Sequence, residues 1–277
     1  MQTLINGSPG TSVSIMDRGF LYGDGAFETL STIDGRPVLL PQHLDRLESA
    51  CQLLKLRFDA GLVQKELFQL LQHASGCQIA KIIITRGIGG RGYKPSAESI
   101  PTRIIQLFES TNPNPIEESL GVCITVCQHR LSQSEALAGV KHLNRLDQVL
   151  ASAELSEEFN EGLCLDIEGH VIEGTKSNLL VFKNGAALSP DLSLSGVKGI
   201  MLVEMSKLLA REGRSIQTTN LTIDDVIEAD EVILCNSVFG VSPVIKLIQG
   251  DRVKNWSIGD FCQQAIQLQN EVFASSY

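Results

Sequence analysis

A polar segment with two prolines, STNPNPIEES at residues 110–119, interrupts a chain that is otherwise rich in apolar stretches. Proline and clustered polar residues break regular elements and are typical of exposed linkers between domains. The length of 277 residues also suits about two domains of ordinary size. The segment therefore predicts two domains, residues 1–114 and 123–277, joined by a linker at 115–122.

Strand and helix patterns occur on both sides of this segment. An Asp34-Gly35 pair between apolar runs predicts a β-hairpin, and residues 11–16 are patterned as a further strand. After Pro41, leucines recur at helical spacing and predict a long helix. In the second part, residues 162–174 have the pattern of another hairpin. We therefore expect a two-domain protein of the α+β or α/β class.

The charge balance restricts the possible partners. The formal net charge is −9, whereas a protein that binds nucleic acid needs a basic face to neutralise phosphates. Apolar runs such as residues 82–85 are too short to span a bilayer, and the first residues do not have the pattern of a secretory signal. We expect a cytoplasmic protein without a nucleic-acid or membrane partner.

Seven cysteines are scattered along the chain, mostly within apolar segments. Cys123 and Cys127 are four residues apart, which would suit either a metal site or one face of a β-strand. The sequence contains neither a CxxC nor an HExxH pattern. Reduced, buried thiols are the expectation, with no bound metal.

The segment GIGGRG at residues 87–92 matches the glycine pattern of dinucleotide-binding turns. Such a turn requires a following helix whose N-terminus holds the pyrophosphate. The next residues, YKPSAESIP, contain two prolines and no apolar period. A flexible loop that carries Arg91 towards an anionic ligand fits this segment better.

Lys141 lies at a junction between a predicted strand end and an amphipathic helix. That helix is expected over residues 144–159, with Leu143, Leu146 and Leu150 on one face. A lysine in such a place is usually a solvent-facing side chain. It can also form a Schiff base, provided that burial or neighbouring positive charge keeps part of it neutral. Position alone favours the solvent-facing interpretation.

Other segments supply what a lysine-bound pyridoxal phosphate would require. These are an acid for the pyridine nitrogen, a helix start for the phosphate, polar groups at a strand end and a cation. Each has an ordinary structural explanation as well, such as a solvated carboxylate or a capped helix. The candidates are Glu173, the GVKGIM helix start with Gly199 and Ile200, the pair Asn236 and Ser237, and Arg46.

Seven segments occur in an order that resembles the fold-type IV family of pyridoxal-phosphate enzymes. They are MDRGFLYGDGAFETL, HLDRL, ITRGIGGRGY, GVKHLNRLDQVLA, VIEGTKSNLLVF, GVKGIM and ADEVILCNSVFGVSPV, which together span residues 16–244. The family includes branched-chain aminotransferases, D-amino acid aminotransferases and aminodeoxychorismate lyases. The resemblance implies an α+β N-terminal domain, a C-terminal pseudo-barrel and a homodimer.

The resemblance also implies roles for individual residues. Lys141 matches the lysine that forms the Schiff base, and Glu173 matches the glutamate at the pyridine nitrogen. Arg46 matches the phosphate-binding arginine. The rest of the phosphate site would be formed by Gly199, Ile200, Asn236 and Ser237.

Two positions distinguish the branches of the family. The D-amino acid aminotransferases bind the substrate carboxylate with a tyrosine, an arginine and a histidine, but this sequence has Phe27, Arg91 and Tyr93 there. Loss of two such groups removes hydrogen bonds worth about 1.5–3 kcal/mol each. The remaining motifs resemble the aminodeoxychorismate lyases, which implies release of pyruvate from 4-amino-4-deoxychorismate with Arg91 as a substrate contact. A D-amino acid or branched-chain aminotransferase of the same fold is the alternative.

Overall fold

The computed structural model describes residues 2–110 and 121–274. Most of the predicted linker, residues 115–120, lies outside this range. Its last residue, Val122, already belongs to a strand. The predicted domain boundaries therefore remain a prediction.

The described residues divide into two compact units. The first contains residues 2–110 together with the short segment Lys141–Asn144, and the second contains residues 121–140 and 145–274. Within residues 121–274, the chain therefore leaves the second unit for four residues, and Lys141 is the first of them.

The first unit is an antiparallel sheet with three helices. Its elements are β1 (Gln2–Ile5), β2 (Ser8–Pro9), α1 (Arg18–Tyr22), β3 (Gly25–Ile33), β4 (Arg36–Pro37), α2 (Leu40–Leu53), α3 (Ala60–Leu71), β5 (Cys77–Thr85) and β6 (Thr102–Glu109). The strands lie in the order β2-β1-β6-β5-β3-β4. Helix α2 packs against β3, and α3 packs against β1 and β6. Leu47, Leu67 and Ile82 are almost fully buried, so the core lies between the helices and the sheet.

The second unit is a nine-stranded mixed sheet with helices. Its elements are β7 (Val122–Leu131), α4 (Leu146–Ala153), β8 (Glu161–Asp166), β9 (Val171–Gly174), β10 (Asn178–Lys183), β11 (Ala186–Pro190), α5 (Ile200–Arg211), β12 (Ile216–Thr219), α6 (Ile223–Ile227), β13 (Glu231–Asn236), β14 (Gly240–Gln249), β15 (Arg252–Asn255) and α7 (Asp260–Ala274). The sheet order is β12-β11-β10-β13-β14-β7-β8-β9, and β15 pairs with β14. The pairs β11–β12, β14–β7 and β7–β8 are parallel.

Both predicted hairpins are present. Asp34 and Gly35 have φ angles of 48° and 75°, the left-handed pair that a two-residue turn between β3 and β4 requires. Between β8 and β9, Asp166 Oδ1 accepts hydrogen bonds from the backbone N–H groups of Glu168 and His170, at 3.0 and 2.8 Å. A short side chain thus organises this turn, as aspartate commonly does.

Two local predictions were wrong. Residues 11–16 form no strand; β2 ends at Pro9, and the next segment is irregular until α1. Helix α4 is shorter than the apolar pattern predicted, since it begins at Leu146 and ends at Ala153. Leu146 and Leu150 are 74% and 51% exposed, so the leucine stripe of α4 does not form part of the core. The prediction that no helix follows the glycine loop is confirmed within residues 87–101.

Among the described residues, no helix combines the length and the apolar composition needed to cross a bilayer.

Candidate active site

Lys141 is held by backbone pairing with the beginning of β3. The Phe27 N–H donates to the Lys141 carbonyl at 3.0 Å, and the Leu143 N–H donates to the Gly25 carbonyl at 3.0 Å. A Cβ atom at Gly25 would overlap the Ile84 carbonyl and lie 2.7 Å from the Leu143 side chain. The glycine therefore permits the close approach that holds the lysine segment on the strand.

The side chain of Lys141 lies against an aromatic ring. Its Nζ is 4.6 Å from the ring centroid of Phe27, within the range of a cation–π contact. Lys141 is half-buried rather than fully exposed. This placement differs from that of an ordinary solvent-facing lysine.

Helix α4 begins immediately after this segment and is anchored by Arg145. The Arg145 guanidinium donates from Nη2 to the Val140 carbonyl at 2.9 Å, which fixes the peptide preceding Lys141. Burial lowers the pKa of Arg145, and the charges of Glu173 and Asp147 oppose this effect. A guanidinium retains its proton even in such surroundings. Arg145 therefore places a positive charge at the start of α4, in the second unit.

Glu173, on β9, is only 4% exposed. Its Oε2 accepts the backbone N–H of Val197 at 2.8 Å, and its Oε1 accepts the side-chain amide of Gln148 at 3.2 Å. The orientation of Glu173 is thus set from two sides, by α4 and by the segment before α5.

The start of α5 has the features of an anion site. Its N-cap is Gly199, which provides no side-chain cap, and the first N–H groups of a helix point outwards with a partial positive charge. A Cβ atom at Gly199 would overlap Asn178 Oδ1. The Asn178 amide also donates to the Val197 carbonyl at 2.8 Å. Together with Ile200, Gly199 therefore forms a compact helix start of the type that binds phosphate.

Asn236 is engaged in the turn after β13. Its Oδ1 accepts the N–H groups of Val238 and Phe239 at 2.8 and 2.9 Å, and its Nδ2 donates to the Lys176 carbonyl at 3.0 Å. The side chain of Asn236 thus shapes the backbone around Ser237. A role for Ser237 and Asn236 in phosphate binding remains a prediction.

Arg46, on α2, forms a two-pronged ion pair with Glu28 of β3. Arg46 Nε lies 2.7 Å from Glu28 Oε1, and Nη2 lies 2.6 Å from Oε2. His43 Nδ1 lies 2.7 Å from the same Oε2. Burial raises the pKa of Glu28, but the attraction and hydrogen bonds of His43 and Arg46 outweigh it and lower the pKa to about 2. The predicted phosphate cation is therefore paired with a buried carboxylate.

Arg91 is exposed, in a loop whose backbone is held by another arginine. The guanidinium of Arg18, which is 2% exposed, donates to the carbonyls of Gly92 and Tyr93 at 2.8 and 2.9 Å. Its Nε donates to Asp24 at 3.0 Å. The loop that carries Arg91 is therefore fastened at its backbone, while the Arg91 side chain extends into solvent.

Asp24 joins this anchor to a second arginine. Arg86 donates to both oxygens of Asp24 and to the carbonyls of Leu54 and Lys55. Burial raises the pKa of Asp24, but hydrogen bonds and attraction from Arg86 and Arg18 lower it below its usual value. The sequence interpretation assigned no role to these three residues. The signal for Arg18 and Asp24 is their position next to glycines in RGFLYGDG, and Arg86 lies outside that segment.

The sequence is similar to that of known proteins over most of its length. A family model described as amino-transferase class IV matches residues 25–247. The chain is 37% identical to the aminodeoxychorismate lyase of Vibrio harveyi over 256 residues, which cover 92% of this chain and 94% of that protein. It is 31% identical to a putative branched-chain-amino-acid aminotransferase of Methanocaldococcus jannaschii, covering 91% of this chain and 88% of the other.

The chain is also similar to a solved lyase structure. The structure of 4-amino-4-deoxychorismate lyase from Pseudomonas aeruginosa superposes with a TM-score of 0.89 and 39% sequence identity. The superposition covers 98% of this chain and 97% of that one. The predicted family resemblance and fold class are thereby confirmed. The chain belongs to the class IV aminotransferase family.

Proposed function

We propose that the protein is a pyridoxal-phosphate-dependent lyase that converts 4-amino-4-deoxychorismate to 4-aminobenzoate and pyruvate, a step of folate biosynthesis. The observation that carries this choice is the contact between Lys141 and Phe27. The ring beside the lysine amine has no hydroxyl group, so position 27 offers no hydrogen bond to the carboxylate of an amino-acid substrate. The similarity to lyases over more than nine-tenths of the chain supports the same choice.

The residues of the second unit fit the cofactor. The uncapped start of α5 offers N–H donors at Gly199 and Ile200 for a phosphate. Glu173 offers a buried carboxylate whose oxygens are oriented by neutral donors, which suits a protonated pyridine nitrogen. We propose that Asn236 and Ser237 complete the phosphate site. Pyridoxal phosphate supplies an electron sink for the electron pair released when a proton leaves the substrate ring.

Lys141 is the proposed covalent attachment point and proton carrier. Lys141 would hold the cofactor, and its Nζ, whenever it is a free amine, could accept the ring proton as a general base. The resulting ammonium group would return that proton to the departing three-carbon group. The backbone bonds at Phe27 and Gly25 keep the amine in one place during both transfers. Formation of the aromatic ring of 4-aminobenzoate drives the reaction.

Arg91 is the proposed partner of a substrate carboxylate. Its side chain is exposed, and the Arg18 guanidinium holds the neighbouring backbone carbonyls of Gly92 and Tyr93. A loop with a fixed backbone and an extended cation suits recognition of an acidic ligand.

We also propose a homodimer, because apolar side chains are exposed around α1. Ile15 and Phe20 are 74% and 69% exposed, and Met16 and Leu21 are 43% and 42% exposed. Contiguous exposed apolar side chains mark interaction surfaces. Light scattering on a gel-filtration column should give twice the chain mass for the unaltered protein. A Phe20→Asp variant should shift towards the monomer, and a monomeric unaltered protein would contradict the proposal.

A cytoplasmic location is the corresponding proposal for the compartment. All seven cysteines are free thiols, and five of them are buried, as expected in a reducing environment. Recovery of the protein in the soluble cytoplasmic fraction of cells that express it would support this location, and recovery from the medium would contradict it.

The covalent role of Lys141 can be tested directly. The purified protein loaded with pyridoxal phosphate should be yellow, and borohydride should attach the cofactor to the Lys141 peptide. Lys81→Ala is a matched control because Lys81 Nζ also lies over the Phe27 ring, at 5.3 Å. This variant should still trap the cofactor, whereas Lys141→Ala should not. An unmodified Lys141 peptide in the unaltered protein would rule out the enzyme.

The lyase and the aminotransferase can be distinguished by whether the reaction requires a keto-acid acceptor. The lyase should release pyruvate and 4-aminobenzoate from 4-amino-4-deoxychorismate without a keto-acid acceptor. D-Alanine or a branched-chain amino acid with 2-oxoglutarate should give little turnover. Because the chain is also similar to a putative branched-chain aminotransferase, rapid transamination without lyase activity would establish that alternative.

A further inference from the structure

Glu161 is a buried carboxylate at the beginning of β8, only 2% exposed. Its Oε1 accepts the N–H of Thr175 at 2.9 Å, the Thr175 hydroxyl in a short contact and the N–H of Gly162 at 3.1 Å. Its Oε2 accepts the Ser177 hydroxyl at 2.9 Å. Within the described part of the chain, no lysine or arginine forms an ion pair with it. Apart from the Gly162 N–H, all of these donors to Glu161 belong to one short segment of the chain.

That segment, residues 174–177, is the tight connection between β9 and β10. The Gly174 N–H donates to the Ser177 carbonyl at 2.7 Å. A Cβ atom at Gly174 would overlap the Ser177 hydroxyl and lie 3.0 Å from the carboxyl carbon of Glu161. The turn is therefore packed directly on the carboxylate, with no room for a side chain between them.

This turn is connected to proposed cofactor residues at both of its ends and in its middle. Glu173 immediately precedes it, and Asn178, which abuts Gly199, immediately follows it. In its middle, the Lys176 carbonyl accepts the side-chain amide of Asn236 at 3.0 Å. A displacement of the turn would therefore move Glu173, the proposed partner of the pyridine nitrogen. It would move the proposed phosphate site at the same time.

We propose that Glu161 is a positioning residue for the cofactor, which holds residues 174–177 through Thr175 and Ser177 and thereby aligns Glu173 with the phosphate site. This inference rests on the proposed function, because it assumes that Glu173 meets the pyridine nitrogen. A carboxylate suits the task because it is an acceptor at both oxygens, and all of its partners here are donors. A glutamine would present an NH₂ group to at least one of these donors.

The test is Glu161→Gln, with Glu231→Gln as the matched control. Glu231 is another buried glutamate of the second unit, 8% exposed, and it accepts N–H groups of Gly259, Phe261 and Cys262 at the start of α7. The two variants make the same chemical change in a carboxylate surrounded by donors. Thermal unfolding of the cofactor-free proteins should show a loss of stability in both.

Two readouts should separate the variants. In the cofactor-free protein, amide hydrogen exchange of residues 171–178 should become faster in Glu161→Gln and stay unchanged in Glu231→Gln. The dissociation constant for pyridoxal phosphate, titrated by absorbance, should rise about tenfold or more only in Glu161→Gln, since loss of a hydrogen bond to a charged group has an effect of this order. If Glu161→Gln does not fold, Ser177→Ala should show both changes at smaller size.

The possible failures can be told apart. If the unaltered protein traps no cofactor on Lys141 with borohydride, the proposed function fails. If it does trap the cofactor but Glu161→Gln and Glu231→Gln show equal exchange and equal affinity, only the role of Glu161 is overturned.

Discussion

The Arg46 guanidinium meets the Glu28 carboxylate in a two-pronged ion pair, with distances of 2.7 and 2.6 Å. Glu28 is 1% exposed, and the side chain of Arg46 is 15% exposed. The pair connects α2 with β3, the strand whose beginning also holds Lys141. The cation that the family resemblance assigns to the phosphate therefore also balances a buried negative charge, and these two roles can be separated experimentally.

Arg46→Met should destabilise the protein by about 3–5 kcal/mol, because it leaves Glu28 buried without its cation. Glu28→Gln combined with Arg46→Met should regain most of that stability. If Arg46 also binds phosphate, the double variant should still bind pyridoxal phosphate about tenfold or more weakly. Chemical denaturation and cofactor titration measure the two effects. Full recovery of both quantities would limit Arg46 to a structural role.

Low pH should lower the unfolding free energy of the protein, because Glu28 becomes protonated. Its pKa is about 2 in the folded chain against an ordinary value of 4.5, so its contribution to stability is complete above about pH 5 and declines as the pH falls towards 2. The difference between the two pKa values corresponds to roughly 3 kcal/mol. The gap in unfolding free energy between the unaltered protein and Glu28→Gln should therefore narrow between pH 5 and pH 3. A constant gap would contradict the ion-pair explanation.

Glu173→Gln should reduce turnover about a hundredfold or more, because a neutral amide cannot maintain a protonated pyridine nitrogen. The cofactor should still bind, since the phosphate site and Lys141 are unchanged. Glu168→Gln, on the same hairpin with its side chain 62% exposed, serves as the control and should keep normal turnover. Steady-state kinetics and the absorbance spectrum of the bound cofactor distinguish the two variants. Normal turnover in Glu173→Gln would remove this carboxylate from the proposed mechanism.

Arg91→Ala should raise KM for 4-amino-4-deoxychorismate about tenfold to a hundredfold, the loss expected for one charged hydrogen bond. Its melting temperature should be unchanged, because the Arg91 side chain is exposed. Lys94→Ala removes another exposed cation from the same loop and should have little effect on KM. An unchanged KM in Arg91→Ala would show that the substrate carboxylate is bound elsewhere.

Local patterns in the sequence were sufficient to predict much of the fold. The Asp34-Gly35 turn, the leucine stripe of α2 and the glycine start of α5 depend on neighbouring residues, so short-range chemistry specifies them. The order of the motifs was sufficient for the family, which the comparisons confirm. The apolar pattern failed at α4 because it cannot tell whether an apolar stripe faces the core or the surface.

Contacts between distant parts of the chain were decided only by the tertiary structure. Arg18 donates a hydrogen bond to the carbonyl of Gly92, which lies 74 positions away in the chain. Glu28 of β3 forms an ion pair with Arg46 of α2. Lys141 best illustrates the difference between what the sequence determines and what the tertiary structure determines. The sequence by itself determined that a lysine stands before α4, but the pairing of its backbone with Phe27 set the position of its amine. Pairing between segments more than a hundred residues apart depends on the packing of the whole fold, which no local propensity encodes.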